Sequence, residues 1–418
     1  MTNAKVFFIM VLLFPVTILL VACGITTSSE PTAKLESQDI IPVTLPPGGQ
    51  MLLETEHSIL FMGARIQHVP TRRVTLFDKT TRQEVWRTSI KGTAIRAILL
   101  ANGDFIVVTT AEKQPARLLR LKGDTGEVVW ERLFQHPALD AIWFDDAIGL
   151  LVSDGVSLWR IDPADGTPIA TLATSLGEQA TPESVYLATP INGNGDGRLY
   201  LSSDRLLIAL TVNAHQTQKE WKFRSAKFIA ELLPLHFRNG PMGVLVFSHS
   251  HVYFVDEAGK SRWHFKNTDI NYGAIALPSA ADAEWIVFGN YVKGLYVADA
   301  QGVRVHMPLP EGNMRVLGIP LPIPKHVLLG GVTARPVSED LAGGYWMAVR
   351  SLDALFLYRF IPPENLTWIA KAPVGRDAKD DSMVQKANIR PNYPPFWLGK
   401  DLALTTPQGI VLFQPSDP

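Results

Sequence analysis

One phrase recurs along this chain: an apolar run, a turn opened by Asp or a stand-in, often Gly, then a short run carrying Trp. It reads Val74-Thr-Leu-Phe-Asp78 then Trp86, and Leu118-Leu-Arg-Leu121 then Gly126 and Trp130. It returns as Leu158-Trp-Arg-Ile-Asp162 with Gly166, and as Leu206 to Thr211 ending at Trp221. Val252-Tyr-Phe-Val-Asp256 leads to Gly259 and Trp263, Leu295-Tyr-Val-Ala-Asp299 to Gly302, and Leu355-Phe-Leu-Tyr358 to Trp368. Aligned on Asp78, Lys122, Asp162, Asn213, Asp256, Asp299 and Phe360, the copies stand 40 to 61 residues apart. Apolar runs of four to six residues between Asp/Gly turns are strands of a β-meander. A period of about 40–50 residues is that of four-stranded propeller blades. The fold class read here is an all-β propeller of four-stranded blades, with almost no helix after residue 23.

Seven copies are countable. The C-terminus adds Leu402-Ala-Leu-Thr405 and Ile410-Val-Leu-Phe413, a strand pair with no outer strand after it. Asp39-Ile-Ile-Pro-Val-Thr-Leu45 can supply the missing strand. A blade built from both termini closes the ring and protects its edges. Eight blades are expected, seven being the alternative. The longer spacings place loop insertions near residues 181–197 and 308–344, which become candidate contact surfaces.

The N-terminus is an address. Lys5 precedes an apolar run from Val6 to Ala22, the pattern of an export signal. Leu20-Val21-Ala22-Cys23, followed by Gly24, resembles a bacterial lipobox, and Cys23 is the only cysteine of the 418 residues. The resemblance implies cleavage after Ala22 and lipid on Cys23, and two or three acyl chains anchor stably. Residues 1–22 are then a signal peptide, 23–35 a polar tether and 36–418 one propeller domain. One cysteine also excludes an intrachain disulfide. A net charge of −1 argues against a nucleic-acid partner.

Phrases such as Leu121-Lys-Gly-Asp-Thr-Gly126-Glu-Val-Val-Trp130 and Val255-Asp256-Glu-Ala-Gly259-Lys-Ser-Arg-Trp263 resemble the repeats of pyrroloquinoline-quinone-type (PQQ-like) propellers. The resemblance covers residues 57–418. It implies that each Trp packs on a neighbouring blade and that the Asp and Gly residues shape the turn. Trp is kept at Trp86, Trp130, Trp221, Trp263 and Trp368 and replaced near Ile169 and Val305. The family has an enzymatic branch, the dehydrogenases that hold quinone and calcium under a disulfide of adjacent cysteines. Its non-catalytic branch includes the propeller lipoproteins of the outer-membrane barrel-assembly machinery. A chain with one cysteine cannot form that disulfide, so the second branch is expected, with no cofactor.

Other candidate chemistry is thin. Asn192, Asn194 and Asp196 occupy positions 1, 3 and 5 of a calcium-loop pattern with Gly197 at 6, but Ser203 stands where the bidentate Glu belongs. An inter-blade turn is the plainer reading. His249 and His251 could begin a metal site or simply sit in a hairpin turn. Gly259-Lys260-Ser261 lies between strands and is a repeat turn, not a phosphate loop. The evenly spaced Trp residues read as packing, not as a ligand platform. No acid, base and nucleophile stand out together. The expected function is a non-catalytic, monomeric module, lipid-anchored in a bacterial envelope, that binds another envelope protein. In a two-membrane cell it would sit on the outer membrane facing the periplasm, otherwise on the cell surface. A PQQ- and calcium-dependent dehydrogenase, or a carbohydrate- or ligand-binding propeller, are the alternatives.

Overall fold

The computed structural model describes residues 37–41, 50–62, 71–111, 114–176, 185–189, 197–269, 271–309, 313–316, 319–324, 331–338, 343–351, 354–373, 395–406 and 409–415. Every regular element among them is a strand. The strands form eight four-stranded antiparallel sheets and one two-stranded hairpin. Blades 1 to 7 occupy residues 50–91, 93–134, 140–173, 186–224, 229–266, 271–307 and 333–373. Blade 8 combines Phe396–Leu398, Asp401–Thr406 and Gly409–Phe413 with an outer strand, Ser37–Ile41, from the other end of the chain. The signal, the tether, Cys23 and the Asn192–Asn194–Asp196 loop lie outside the described residues. Among those described, no helix is long and apolar enough to cross a membrane.

The burial pattern explains why the sheets stack into a ring. In blade 5 the middle strands Met242–Ser248 and His251–Asp256 are almost wholly buried, while the outer strand Ser261–Lys266 alternates half-buried and exposed. A strand apolar on both faces needs a neighbour on both faces, and each blade's neighbours supply it. Leu151 and Leu158 of blade 3 accordingly share a cluster with Leu199, Ile208 and Leu210 of blade 4. Val287 and Leu295 of blade 6 share one with Met347, Phe356 and Tyr358 of blade 7. The first strands of blades 1 to 6 touch in succession, as do those of blades 7 and 8, which sets them around the central axis.

Both termini close the ring. Ser37 pairs with Phe413, Ile40 with Val411 and Ile41 with Ile410. The closing strand spans Ser37–Ile41, so it begins two residues before the expected Asp39, and residues 42–45 of the expected stretch lie outside the described residues. The two expected insertions also differ from plain loops. Tyr186–Ala188, inside 181–197, is the first strand of blade 4. The stretch 308–344 holds the hairpin Asn313–Val316 with Ile319–Pro324, then Thr333–Pro336, the first strand of blade 7. A three-residue strand beside Gly- and Asn-rich sequence gives too short a period-2 signal to stand out.

Candidate docking surfaces on the rim and the channel wall

The turn between the third and outer strands repeats one construction. The first residue's side chain caps the turn by accepting main-chain N–H groups. Asp78 Oδ1 takes Thr80 and Thr81 at 2.9 and 2.6 Å, and Asp162 Oδ1 takes Ala164 at 2.8 Å. Asn213 Oδ1 takes His215 and Gln216 at 2.9 and 3.0 Å, Asp256 Oδ1 takes Ala258 and Lys260 at 3.1 and 2.9 Å, and Asp299 Oδ1 takes Gln301 at 2.7 Å. These are Asx turns. The donors also shift acidity. Hydrogen bonds from Thr81 hold Asp78 below the usual carboxylate range. Burial would raise Asp256, but the Lys260 N–H and the Arg262 guanidinium outweigh it and hold the group low.

Trp86, Trp130, Trp221 and Trp263 lie on the turn of the following blade. Trp86 Nε1 donates to Gly123 O at 2.7 Å, Trp130 Nε1 to Pro163 O at 3.1 Å and Trp221 Nε1 to Glu257 O at 2.7 Å. The turn glycine lies under the indole. A Cβ at Gly166 would fall 2.7 Å from Trp130 Cε3, and one at Gly259 the same distance from Trp221 Cδ2. Gly126 meets Trp86 in the same way, and Gly302 sits more loosely under Trp263. All four have positive φ, +76° at Gly166, so at Gly126, Gly166 and Gly259 two constraints exclude a side chain. Trp368 is 8% exposed and donates to Ala370 O in its own strand, while residues 407–408 of the following turn lie outside the described residues. Blades without the Trp precede turns without the Gly: Ala170 of blade 3 faces a blade whose turn reads Asn213-Ala-His-Gln216, and Val305 of blade 6 precedes Ile361-Pro-Pro-Glu364. The indole and the glycine are thus kept or lost together.

Just before the Trp position the outer strand bulges. Leu76 pairs with Trp86 and Phe77 with Glu84, which leaves Val85 unpaired. Val129, Ile169, Glu220, Arg262 and Arg304 are skipped in the same way in blades 2 to 6. A bulged residue has no cross-strand partner. In blades 1 to 3 it is aliphatic and exposed, at 49% for Val85, 43% for Val129 and 52% for Ile169. With Val128 and Leu133, five of the seven exposed large hydrophobics among the described residues lie on these three outer strands. In blades 4 to 6 it is charged and paired: Glu220 with Arg198 at 2.9 Å, Arg262 with Asp256, and Arg304 with Asp299 at 2.7 Å.

Charged side chains on the first strands are committed to links between blades. Arg96, on the first strand of blade 2, lies 2.9 Å from Asp140 Oδ1 at the start of blade 3. Asp140 is fully buried, and its Oδ2 accepts the Leu187 N–H of blade 4 at 2.8 Å. Glu231 of blade 5 accepts the Gly273 N–H of blade 6 at 2.8 Å, and Gly273 O accepts Val332 N–H at 3.1 Å. These links tie one blade to the next. Among the described residues no three His, Cys, Asp or Glu side chains group as metal ligands. His251 opens a strand and is buried, while His249 is half-buried in the turn and meets the Phe228 ring edge-on.

Residues 70–200, from the third strand of blade 1 into blade 4, match the family model described as outer membrane protein assembly factor BamB. No curated protein matches the chain. Among solved structures, BamB from Moraxella catarrhalis is similar at 15% identity, over 74% of this chain and 81% of that one, with a TM-score of 0.46. BBS1N in complex with ARL6DN is similar at 11% identity, over 76% and 89%, with a TM-score of 0.46. The computationally designed Ika8 protein is similar in fold at 11% identity, over 90% and 99%, with a TM-score of 0.54. By its blade pattern, its eight-sheet ring and the match over residues 70–200, the chain is similar to the PQQ-type propellers of the BamB assembly-factor family.

Proposed function

We propose that this chain is a non-catalytic docking propeller of a bacterial envelope, tethered by lipid on Cys23, which holds another envelope protein against its rim. The observation that carries the reading is the aliphatic arc of blades 1 to 3, with Val85, Val129 and Ile169 at equivalent bulges and 43–52% exposed. Only two other large hydrophobics among the described residues are exposed away from these strands, Leu99 and Ile361, so three exposed in register call for an outside surface. Burying one such side chain fully contributes about 1.5–3 kcal/mol, so a few suffice for a transient complex. The likeness to BamB over residues 70–200 supports the same reading, because that stretch contains Val85, Val129 and Ile169.

The enzymatic alternative needs a donor set for calcium and quinone. The buried acid on the channel wall, Asp140, already serves Arg96 and the Leu187 N–H. Glu231 serves the Gly273 N–H. These residues do not fit a calcium–quinone centre, and no step is derived through one. PQQ and calcium added to the purified full chain should give no stoichiometric quinone absorbance and no dye-linked oxidation of alcohols or sugars. Binding with turnover would overturn the docking reading. Cys23→Ser should leave an unprocessed precursor or release the domain from the membrane fraction. An unmodified Cys23 within an intact N-terminus of the wild type would overturn the anchor.

A further inference from the structure

The outer strands of blades 4 to 6 carry Lys219, Lys222, Arg224, Arg262, Lys266 and Arg304 against one acid, Glu220. Those of blades 1 to 3 carry three basic residues against two acidic ones. In a chain of net charge −1 this basic arc is local. Its densest part is the seam between blades 4 and 5. There His264 of the outer strand stacks on Tyr253 at 4.5 Å and 7°, and on His251 at 5.0 Å and 8°. Phe223 of blade 4 meets Tyr253 edge-on at 5.1 Å, and the Tyr253 hydroxyl accepts the Ala226 N–H at 3.3 Å. The aromatic floor thus fixes both imidazoles and the connecting segment that bears Lys227.

We propose that this seam binds a phosphate-bearing anion through Lys227, Lys266, His251 and His264. Lys227, Lys266 and His264 are exposed. Neither lysine has a carboxylate partner among the described residues. Parallel stacking keeps the in-plane nitrogens of the two imidazoles from converging on one point, which suits donors to an oxyanion better than ligands to a metal. Three chain segments supply the cations: the link after blade 4, the third strand of blade 5 and its outer strand. Several donors from different directions match a phosphate's oxygens better than the two of a carboxylate. The surrounding charges agree. His251 is depressed by burial, then by His264, Lys266 and Lys227, and His264 by burial, then Lys266. Asp204, whose main-chain carbonyl accepts the Ile229 N–H, has its carboxylate 3.8 Å from Arg205. His251 Nδ1 lies 3.0 Å from Ser250 Oγ, and His249 packs on Phe228. An anion would offset the part of this depression that comes from the neighbouring lysines, so it should bind more tightly as the imidazoles protonate.

The test is titration of the full chain with inorganic phosphate, followed by the imidazole C–H resonances of His251 and His264 and by calorimetry at pH 5.5 and 7.5. Saturable shifts of both resonances, with affinity several-fold higher at pH 5.5, are expected. Lys227→Ala with Lys266→Ala should weaken binding at least tenfold. Both positions are exposed, and an unchanged circular dichroism spectrum confirms that the variant folds. Competition by phosphatidylglycerol vesicles, and not by phosphatidylcholine vesicles, would identify a lipid headgroup as the source; phosphate binding without competition would identify a soluble ligand. No saturable shift at tens of millimolar phosphate, or wild-type binding by the double variant, overturns the proposal. Neither result bears on the docking arc of blades 1 to 3, which shares no residue with this seam.

Discussion

Blades 1 to 3 and blades 4 to 6 are built alike and dressed differently. Both halves bulge the outer strand just before the Trp position, and both use the indole against the next blade's glycine. Yet the bulged residue is Val85, Val129 or Ile169 in one half and Glu220, Arg262 or Arg304 in the other. The inward residue is constrained by contact with the neighbouring turn. The outward residue at the same irregularity has no partner strand to satisfy and is free to vary. The ring thus separates what holds it together from what it shows to others.

The comparison breaks most sharply from the inside. Trp86 is 6% exposed and packs on Phe105 at 6.0 Å, so Trp86→Ala should cost about 3–5 kcal/mol in denaturant unfolding. Gly166→Ala should follow at about 2–3 kcal/mol, from the positive φ together with the collision with Trp130. Gly103 has a similar φ of +88° but open space around it, so Gly103→Ala should cost about 1 kcal/mol. Equal losses at Gly103 and Gly166 would show that the indole contact is unimportant. From the outside, Val129→Ser should change stability by less than about 0.5 kcal/mol while weakening capture of a partner.

The smallest expected effect sharpens the other half. His251 and His264 have folded-state pKa values below the ordinary value near 6.5. The unfolded chain therefore takes up protons first, and stability falls as pH drops below about 6.5. The melting temperature should decline between pH 7.5 and 5.5, and Lys266→Gln should blunt the decline. Phosphate should blunt it too if the seam binds anions, which links stability to the titration.

The blade count, the terminal closure and the turn residues were legible because each repeats at a fixed place between apolar runs. Asp162 and Gly166, or Asp256 and Gly259, stand out by spacing alone. The pairing of a lost Trp with a lost Gly is also written in the sequence, but only for a reader who knows that blade n leans on blade n + 1. The aliphatic and charged bulges were not legible. Val129 beside Val128 looks like any strand pair until the register shows which of the two is skipped. The Arg96–Asp140 link joins residues 44 positions apart, and such distances carry no local signal. The Tyr253–His264 stack hides likewise, since its members face each other only across the turn that Asp256 closes.

The central claim is that the aliphatic arc of blades 1 to 3 is where another protein sits. Photo-crosslinking amino acids placed singly at Val85, Val129 and Ile169, and at Arg262 and Arg304 for comparison, test it in intact cells. The account predicts one discrete protein adduct shared by the three aliphatic positions and absent from the two charged ones. The same adduct from Arg262 and Arg304 alone, with none from Val85, Val129 or Ile169, would contradict it.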